Sequence, residues 1–95
     1  MSAGVAMAAA VDGQKLFLAN CTPCHGEDGK GRTPQGKKLH AKDLTASTLA
    51  DAAIEKQIVA GSADRSGNSR MPSFKTTLTP EEITALVAYL KTLRR

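Results

Sequence analysis

Cys21-Thr22-Pro23-Cys24-His25 is the segment from which the architecture of this chain can be inferred. A Cys-x-x-Cys pair by itself is compatible with a redox dithiol, half of a zinc site or a structural disulfide. A redox dithiol of this spacing needs a surrounding βαβ pattern, which the sequence lacks. A zinc site needs four ligands, but no second cysteine pair is present and a second histidine would have to come from an unusual distance.

The histidine that directly follows the second cysteine favours a fourth interpretation. Cys-x-x-Cys-His is the attachment signature of c-type haem. The thiols of Cys21 and Cys24 add to the two vinyl groups of the porphyrin, and two intervening residues let one turn of chain reach both. His25 then lies under the ring as an iron ligand. The segment predicts one covalently bound haem c, whereas a plain disulfide would leave His25 without a role.

Length and composition limit the classes of protein to which the chain can belong. Its 95 residues suffice for one small domain. No run approaches the roughly 18 apolar residues of a membrane span, and two cysteines exclude a disulfide-rich scaffold. The 13 basic and 9 acidic residues give a net charge of +4, but the cations are dispersed and predict no nucleic-acid interface. Aromatic residues make up only 3%, so a cofactor is expected to fill part of the core.

The iron needs a second axial ligand, and Met71 is the favoured candidate. It lies in Arg70-Met71-Pro72, after a polar loop and before the last helix. Methionine more often fills a core, but polar neighbours and a following proline take Met71 off any apolar helical stripe. His40, the second histidine of the chain, remains the alternative ligand, and a pair of histidines would give a lower reduction potential.

Two helices are predicted in the first two thirds of the chain. Asp12 is a suitable N-cap for a helix that runs to Asn20 and ends directly before the first cysteine. A second helix is predicted over residues 49–60, with Thr48 and Asp51 at capping-box spacing and Gly61 at the position after the C-terminus.

The last helix has the clearest start signal. Thr79 is its N-cap, Pro80 its first residue and Glu82 the third, which together form a capping box with proline at the first position. Its apolar residues recur at helical intervals, and they are Ile83, Leu86, Val87, Leu90 and Leu93. Lys91, Arg94 and Arg95 lie at the end that favours positive charge. Two long loops, 26–47 and 61–78, are predicted to wrap the haem, and no strand pattern is visible.

Residues 1–10 are predicted to lie outside the folded domain, which would then comprise residues 11–95. The segment carries no charge, and Ala6-Met7-Ala8 has the small-x-small form of a leader cleavage site. It is interpreted as a leader remnant or an added extension, with a native alanine-rich tail as the alternative.

Taken together, these motifs resemble the class I monohaem cytochromes c, especially the small bacterial and photosynthetic forms. The likeness covers roughly residues 11–93 and rests on Gly13 with Phe17 in the first helix, the Cys-x-x-Cys-His segment, Met71-Pro72 and residues 86–90 of the last helix. It implies an all-α fold of three main helices and long loops around one haem. It also implies that the first and last helices cross closely at Gly13, with Phe17 near Leu86 and Tyr89.

The resemblance assigns roles to individual residues. Cys21 and Cys24 form the thioethers, His25 is the proximal iron ligand and Met71 the distal one. A backbone carbonyl of the first loop accepts a hydrogen bond from the other ring nitrogen of His25, and Pro34 is the candidate for it. The sequence departs from the family pattern in having no Trp for a haem propionate and in the polarity of residues 61–70.

The function implied is a soluble one-electron carrier, not an enzyme, that cycles iron between Fe(II) and Fe(III). The alternatives are a dedicated electron-transfer subunit of a larger dehydrogenase or oxidase, or a haem enzyme or gas sensor with a displaceable distal ligand. The expected partners are redox proteins with acidic docking surfaces, the expected state is a monomer, and the compartment is the periplasm or its equivalent. The candidates for steering such a partner are Lys30, Lys37, Lys38, Lys42 and Lys75.

Overall fold

The computed structural model describes residues 11–94, so the predicted leader segment 1–10 and Arg95 lie outside the described residues. In chain order its elements are α1 (Gly13–Asn20), α2 (Thr22–His25), α3 (Pro34–Leu39), a 3-10 turn (Leu44–Ala46), α4 (Asp51–Ala60), β1 (Ser62–Ala63), β2 (Ser69–Met71) and α5 (Pro80–Thr92). Helices dominate, as the small cytochrome c fold implied.

Helix α5 begins as its sequence predicts. The Thr79 hydroxyl accepts a hydrogen bond from the Glu82 amide at 3.2 Å, and the Glu82 carboxylate accepts one from the Thr79 amide at 2.8 Å. Pro80 occupies the first turn, where its missing N–H costs nothing. The predicted core face of the helix is buried at Ile83, Leu86, Val87 and Leu90.

Helices α1 and α5 form the most extensive contact between elements of the described chain. Phe17 and Leu86 are fully buried there, and the Phe17 and Tyr89 rings lie 5.4 Å apart at an interplanar angle of 47°. A Cβ on Gly13 would come within 2.9 Å of the Tyr89 Cβ and would overlap the Ala85 carbonyl oxygen. The close crossing at Gly13 is therefore confirmed.

Helix α4 starts two residues later than predicted. Its N-cap is Ala50, which has no side-chain cap, so the capping box expected from Thr48 and Asp51 does not form. The Leu49 carbonyl instead accepts a hydrogen bond from the Arg94 guanidinium, just beyond the end of α5, at 2.5 Å. The helix ends as predicted at Gly61, which has a φ of 70°.

The two segments predicted as loops contain regular structure. Residues 26–47 include α3, whose N-cap Thr33 accepts from the Gly36 amide at 2.9 Å, and a 3-10 turn. Residues 61–78 include β1 and β2, which pair antiparallel as a two-stranded sheet. The expectation of no strands is therefore wrong for this segment. Elements of two to six residues are too short to show a periodicity in the sequence.

One apolar cluster joins α1, α4, α5 and the segment after β2. Its buried members are Phe17, Cys21, Ile54, Ile58, Phe74, Leu78, Ile83, Leu86, Val87 and Leu90, and Met71 packs against its edge. Cys21 is thus part of this core, and the candidate iron ligand Met71 lies at its edge. None of the helices in residues 11–94 is long and apolar enough to cross a bilayer.

Candidate haem site

The two cysteines lie where α1 passes into α2. The Cys21 amide donates to the Phe17 carbonyl at 2.8 Å as the end of α1, and the His25 amide donates to the Cys21 carbonyl at 2.9 Å, which closes the single turn of α2. Cys21 is buried and Cys24 half-buried, and no disulfide joins them. This turn presents two sulfurs and an imidazole from five consecutive residues, as thioether attachment requires.

The Cys21 thiol is held in its protonated form. Burial, with a smaller contribution from the neighbouring Cys24, raises the pKa of Cys21 to about 11. A redox dithiol uses a thiol whose pKa is lowered, so Cys21 lacks the environment typical of one. Among residues 11–94, no three His, Cys, Asp or Glu side chains come together as a metal site, so the zinc interpretation gains no ligand set there.

The His25 ring is oriented by a main-chain oxygen. Its Nδ1 lies 3.0 Å from the Lys42 carbonyl, a hydrogen bond that places the proton on Nδ1 and leaves Nε2 free to bind a metal. Burial lowers the pKa of His25 and outweighs the opposite effect of the Lys42 bond. A lowered pKa favours the neutral imidazole, which is the form that ligates iron.

The carbonyl partner of His25 corrects the expectation for Pro34. Pro34 is the first residue of α3, where its carbonyl is directed along the helix axis toward the residue four positions on. Lys42 reaches His25 instead because Gly31 lets the returning chain lie close to α2. A Cβ on Gly31 would be 2.8 Å from the Ala41 oxygen, and the Gly31 amide donates to the His25 carbonyl at 2.8 Å.

His40 belongs to the segment that supports His25. It is the C-cap of α3 with a φ of 58°, and its amide bonds the Gly36 and Lys37 carbonyls. Its side chain is exposed. Lys42, whose carbonyl bonds the Nδ1 of His25, follows His40 by only two residues.

Met71 is held by the last turn of α4. It ends β2, is half-buried, and has its Sδ 3.7 Å from the Gln57 Nε2, which donates to it. Two further bonds fix the chain that follows, since the Ser73 hydroxyl donates to the Val59 carbonyl at 2.5 Å and the Phe74 amide donates to the Ile58 carbonyl at 3.0 Å. Gln57 was missed from the sequence, where an exposed helical glutamine carries no signal.

These groups fit a covalently bound haem. The donors are two thiols on one turn, a neutral imidazole with one nitrogen free, and a thioether sulfur on a separate restrained segment. Imidazole and soft sulfur donors are ligands that haem iron takes in proteins.

Comparison with known proteins identifies the family. Residues 10–94 match the family model described as cytochrome c. The chain belongs to the cytochrome c family. Like other members of that family it carries a covalently bound haem c, and the family transfers electrons through that haem.

Three relatives show the range of proteins to which this cytochrome c is similar. It is 38% identical over 81 residues to cytochrome c6 of Anabaena variabilis, covering 84% of this chain and 86% of that protein. It is 36% identical over 85 residues to the Cbb3-type cytochrome c oxidase subunit FixP of Azorhizobium caulinodans, covering 90% of this chain but only 27% of that subunit. Among solved structures, the KustC0563 c-type cytochrome superposes with a TM-score of 0.79 at 35% identity, covering 90% of this chain and all of that one.

Proposed function

We propose that the chain is a soluble one-electron carrier whose iron is held between His25 and Met71. The observation that carries this proposal is the double restraint of the two ligands, His25 by the Lys42 carbonyl and Met71 by the last turn of α4. Similarity to cytochrome c6 along 86% of that protein supports a free carrier. A carrier, unlike an enzyme, needs no open coordination position.

Each residue of the proposed site has a separate task. Cys21 and Cys24 tether the haem, which supplies the one-electron change between Fe(II) and Fe(III). His25 would bind the iron as a neutral imidazole, and Met71 would bind it as a thioether, a ligand that stabilises ferrous iron and raises the potential. Because both ligand segments are anchored by hydrogen bonds to other segments, little rearrangement accompanies the change in charge.

A dedicated electron-transfer subunit or domain is the second candidate function. It is favoured by the similarity to FixP, of which the chain spans only 27%. The haem chemistry would be the same, and the difference would lie in a permanent rather than a transient partner. Attachment of haem through thioethers supports the periplasm or an equivalent compartment as the location of either form. Exposed lysines at 37, 38, 42 and 75, with the half-buried Lys30, supply positive charge for steering an acidic partner.

Binding of carbon monoxide tests the carrier proposal. The reduced native protein is expected to bind carbon monoxide negligibly, because Met71 occupies the position that the gas needs. Purified holoprotein would be mixed with the gas and followed in the Soret region, with Met71→Gly, which opens that position, as the positive control. Rapid binding by the unaltered protein would instead indicate an enzyme or a gas sensor.

Gln57→Leu is expected to lower the reduction potential by about 20–60 mV. The amide places a positive dipole end on the Met71 sulfur, which favours the reduced iron. One net hydrogen bond contributes about 0.5–1.5 kcal/mol. For a one-electron couple, a tenfold change in the equilibrium constant corresponds to about 59 mV. Spectroelectrochemical titration measures the shift. Gln14→Leu, which alters an exposed glutamine on α1, is the matched control, and an equal shift in both variants would argue against the contact.

A further inference from the structure

The hairpin of residues 62–71, formed by β1, β2 and the turn between them, is organised by one carboxylate. Asp64 Oδ1 accepts hydrogen bonds from the Ser66 amide at 2.8 Å and the Asn68 amide at 3.0 Å, and Oδ2 accepts from the Asn68 side chain at 3.3 Å. The Asp64 amide donates to the Asn68 carbonyl at 2.9 Å, and the Gly67 amide donates to the Asp64 carbonyl at 3.0 Å. The tip is therefore fixed by a closed set of local bonds.

Packing does not explain this order. Residues 65–70 are all exposed, and an added Cβ at Gly67 would find no atom of the described chain within 4 Å. The side-chain hydrogen bonds of residues 64–69 stay within the hairpin in that same part of the chain. Ordering a segment costs conformational entropy, and among the described residues the hydrogen bonds of Asp64 are what offset that cost. A hairpin ordered by its own hydrogen bonds is suited to recognition, since a preformed surface loses less entropy on binding.

The charge that the hairpin presents is positive. Arg65 lies in the turn and Arg70 in β2, and both are exposed. The one acidic residue of the hairpin, Asp64, accepts the hydrogen bonds from Ser66 and Asn68 described above. These bonds, with a contribution from Arg70, hold the pKa of the Asp64 carboxyl below its usual value. Ser62 pairs with Met71 while Ala63 pairs with Ser69, so Arg70 is the extra residue of a β-bulge. Bulges of this kind redirect a side chain next to a functional site.

The base of the hairpin is fixed to the segment that holds the proposed distal ligand. Met71 is the last residue of β2, directly after Arg70. A Cβ on Gly61 would come within 2.8 Å of Pro72 and Ser73 backbone atoms and would overlap the Met71 carbonyl oxygen, so the chain entering the hairpin lies against the chain leaving it. A partner seated on the two arginines is thereby brought close to Met71.

We propose that the hairpin of residues 62–71 is a preformed docking element that places Arg65 and Arg70 against an acidic face of a protein redox partner. This inference rests on the proposed electron-transfer function and assigns the contact surface to it. The lysines of residues 30–42 then act at longer range, by steering, while the two arginines contact the partner directly.

A carboxylate-terminated alkanethiol monolayer on gold serves as the acidic probe. The strength of adsorption from low-salt buffer would be measured for the wild-type holoprotein and for the double variant Arg65→Gln/Arg70→Gln. The control is Lys15→Gln/Lys56→Gln, which removes the same charge from exposed helical positions. The hairpin variant is expected to adsorb about fivefold to tenfold more weakly and the control at most about twofold, since each exposed ion pair contributes modestly. Haem content and solution potential should stay unchanged in both.

A second pair of variants separates rigidity from charge. Asp64→Asn keeps an oxygen that accepts from the Ser66 and Asn68 amides, whereas Asp64→Ala removes it, and both raise the net charge equally. If the ordered tip matters, Asp64→Ala will adsorb about threefold more weakly than Asp64→Asn despite the equal charge. Equal adsorption of the two would show that the order of the tip plays no part in docking.

The location of the contact is measured by NMR. Addition of poly-L-glutamate to the isotopically labelled ferrous protein is expected to shift the amide signals of residues 62–71 most. Largest shifts at residues 37–42, or equal loss of adsorption in the hairpin and control variants, would overturn the docking role of the hairpin. Neither result would affect the carrier proposal, which fails separately if the protein lacks a reversible one-electron couple in solution.

Discussion

Met71→Ala will lower the reduction potential by roughly 0.1–0.3 V, which lies within the span of about 0.8 V that axial ligands control. The same substitution will abolish the weak long-wavelength absorption band of the oxidised protein. The thioether favours ferrous iron because it is a weak electron donor, and water or another residue in its place donates more strongly. The side chain is half-buried at the core edge, so its truncation leaves the helices intact. Potentiometric titration and an optical spectrum measure the two effects.

His40→Ala is the matched control for this substitution. His40 is exposed on the segment that supports His25, so its removal should leave both the band and the potential unchanged. The reverse pattern, in which His40→Ala shifts the potential and Met71→Ala does not, would make the second histidine the distal ligand. That result would also remove the physical basis for a high potential.

Gly13→Val will destabilise the native holoprotein by about 3 kcal/mol, at the upper end of overpacking effects. The added side chain would overlap the Ala85 carbonyl and crowd the Tyr89 Cβ, and backbone atoms of α5 cannot move away as a flexible side chain would. The α1–α5 contact would have to open, which loosens the fully buried Phe17 and Leu86. Denaturant unfolding followed by circular dichroism gives the free energy of unfolding.

Gln14→Val provides the comparison for the Gly13 substitution. Gln14 is the next residue of α1 and is exposed, so the change carries chiefly a difference in helix propensity of about 0.5 kcal/mol. A loss of stability at position 13 no greater than that at position 14 would mean that α1 and α5 tolerate a wider separation than the structure shows.

Features that depend on neighbouring residues could be predicted from the sequence. The start of α5 followed from Thr79, Pro80 and Glu82, because a capping box is formed by side chains three residues apart. The N-cap at Asp12 and the end of α4 at Gly61 followed for the same reason. The attachment segment was recognisable because its chemistry requires one fixed spacing within a single turn.

Features that depend on distant segments could not be predicted in this way. The partner of His25 is a main-chain oxygen 17 residues away, and a carbonyl is present at every position, so no residue type marks it. Gln57 reaches Met71 across 14 residues. Helix α3 is different, since Thr33 followed by Pro34 is a local start signal within a segment predicted to be a loop.

The bond between His25 and the Lys42 carbonyl has a consequence for mutational tolerance. Because the backbone supplies the acceptor, substitutions that alter the side chain at position 42 leave the imidazole's support in place, and the surface charge there is free to diverge among homologues. Position 31 is the one that does not tolerate substitution. Gly31 has a φ of 72° and lies so close to the Ala41 oxygen that a side chain does not fit there. Among homologues that keep this hydrogen bond, we therefore expect the glycine at position 31 to be conserved, although it is neither the donor nor the acceptor of the bond.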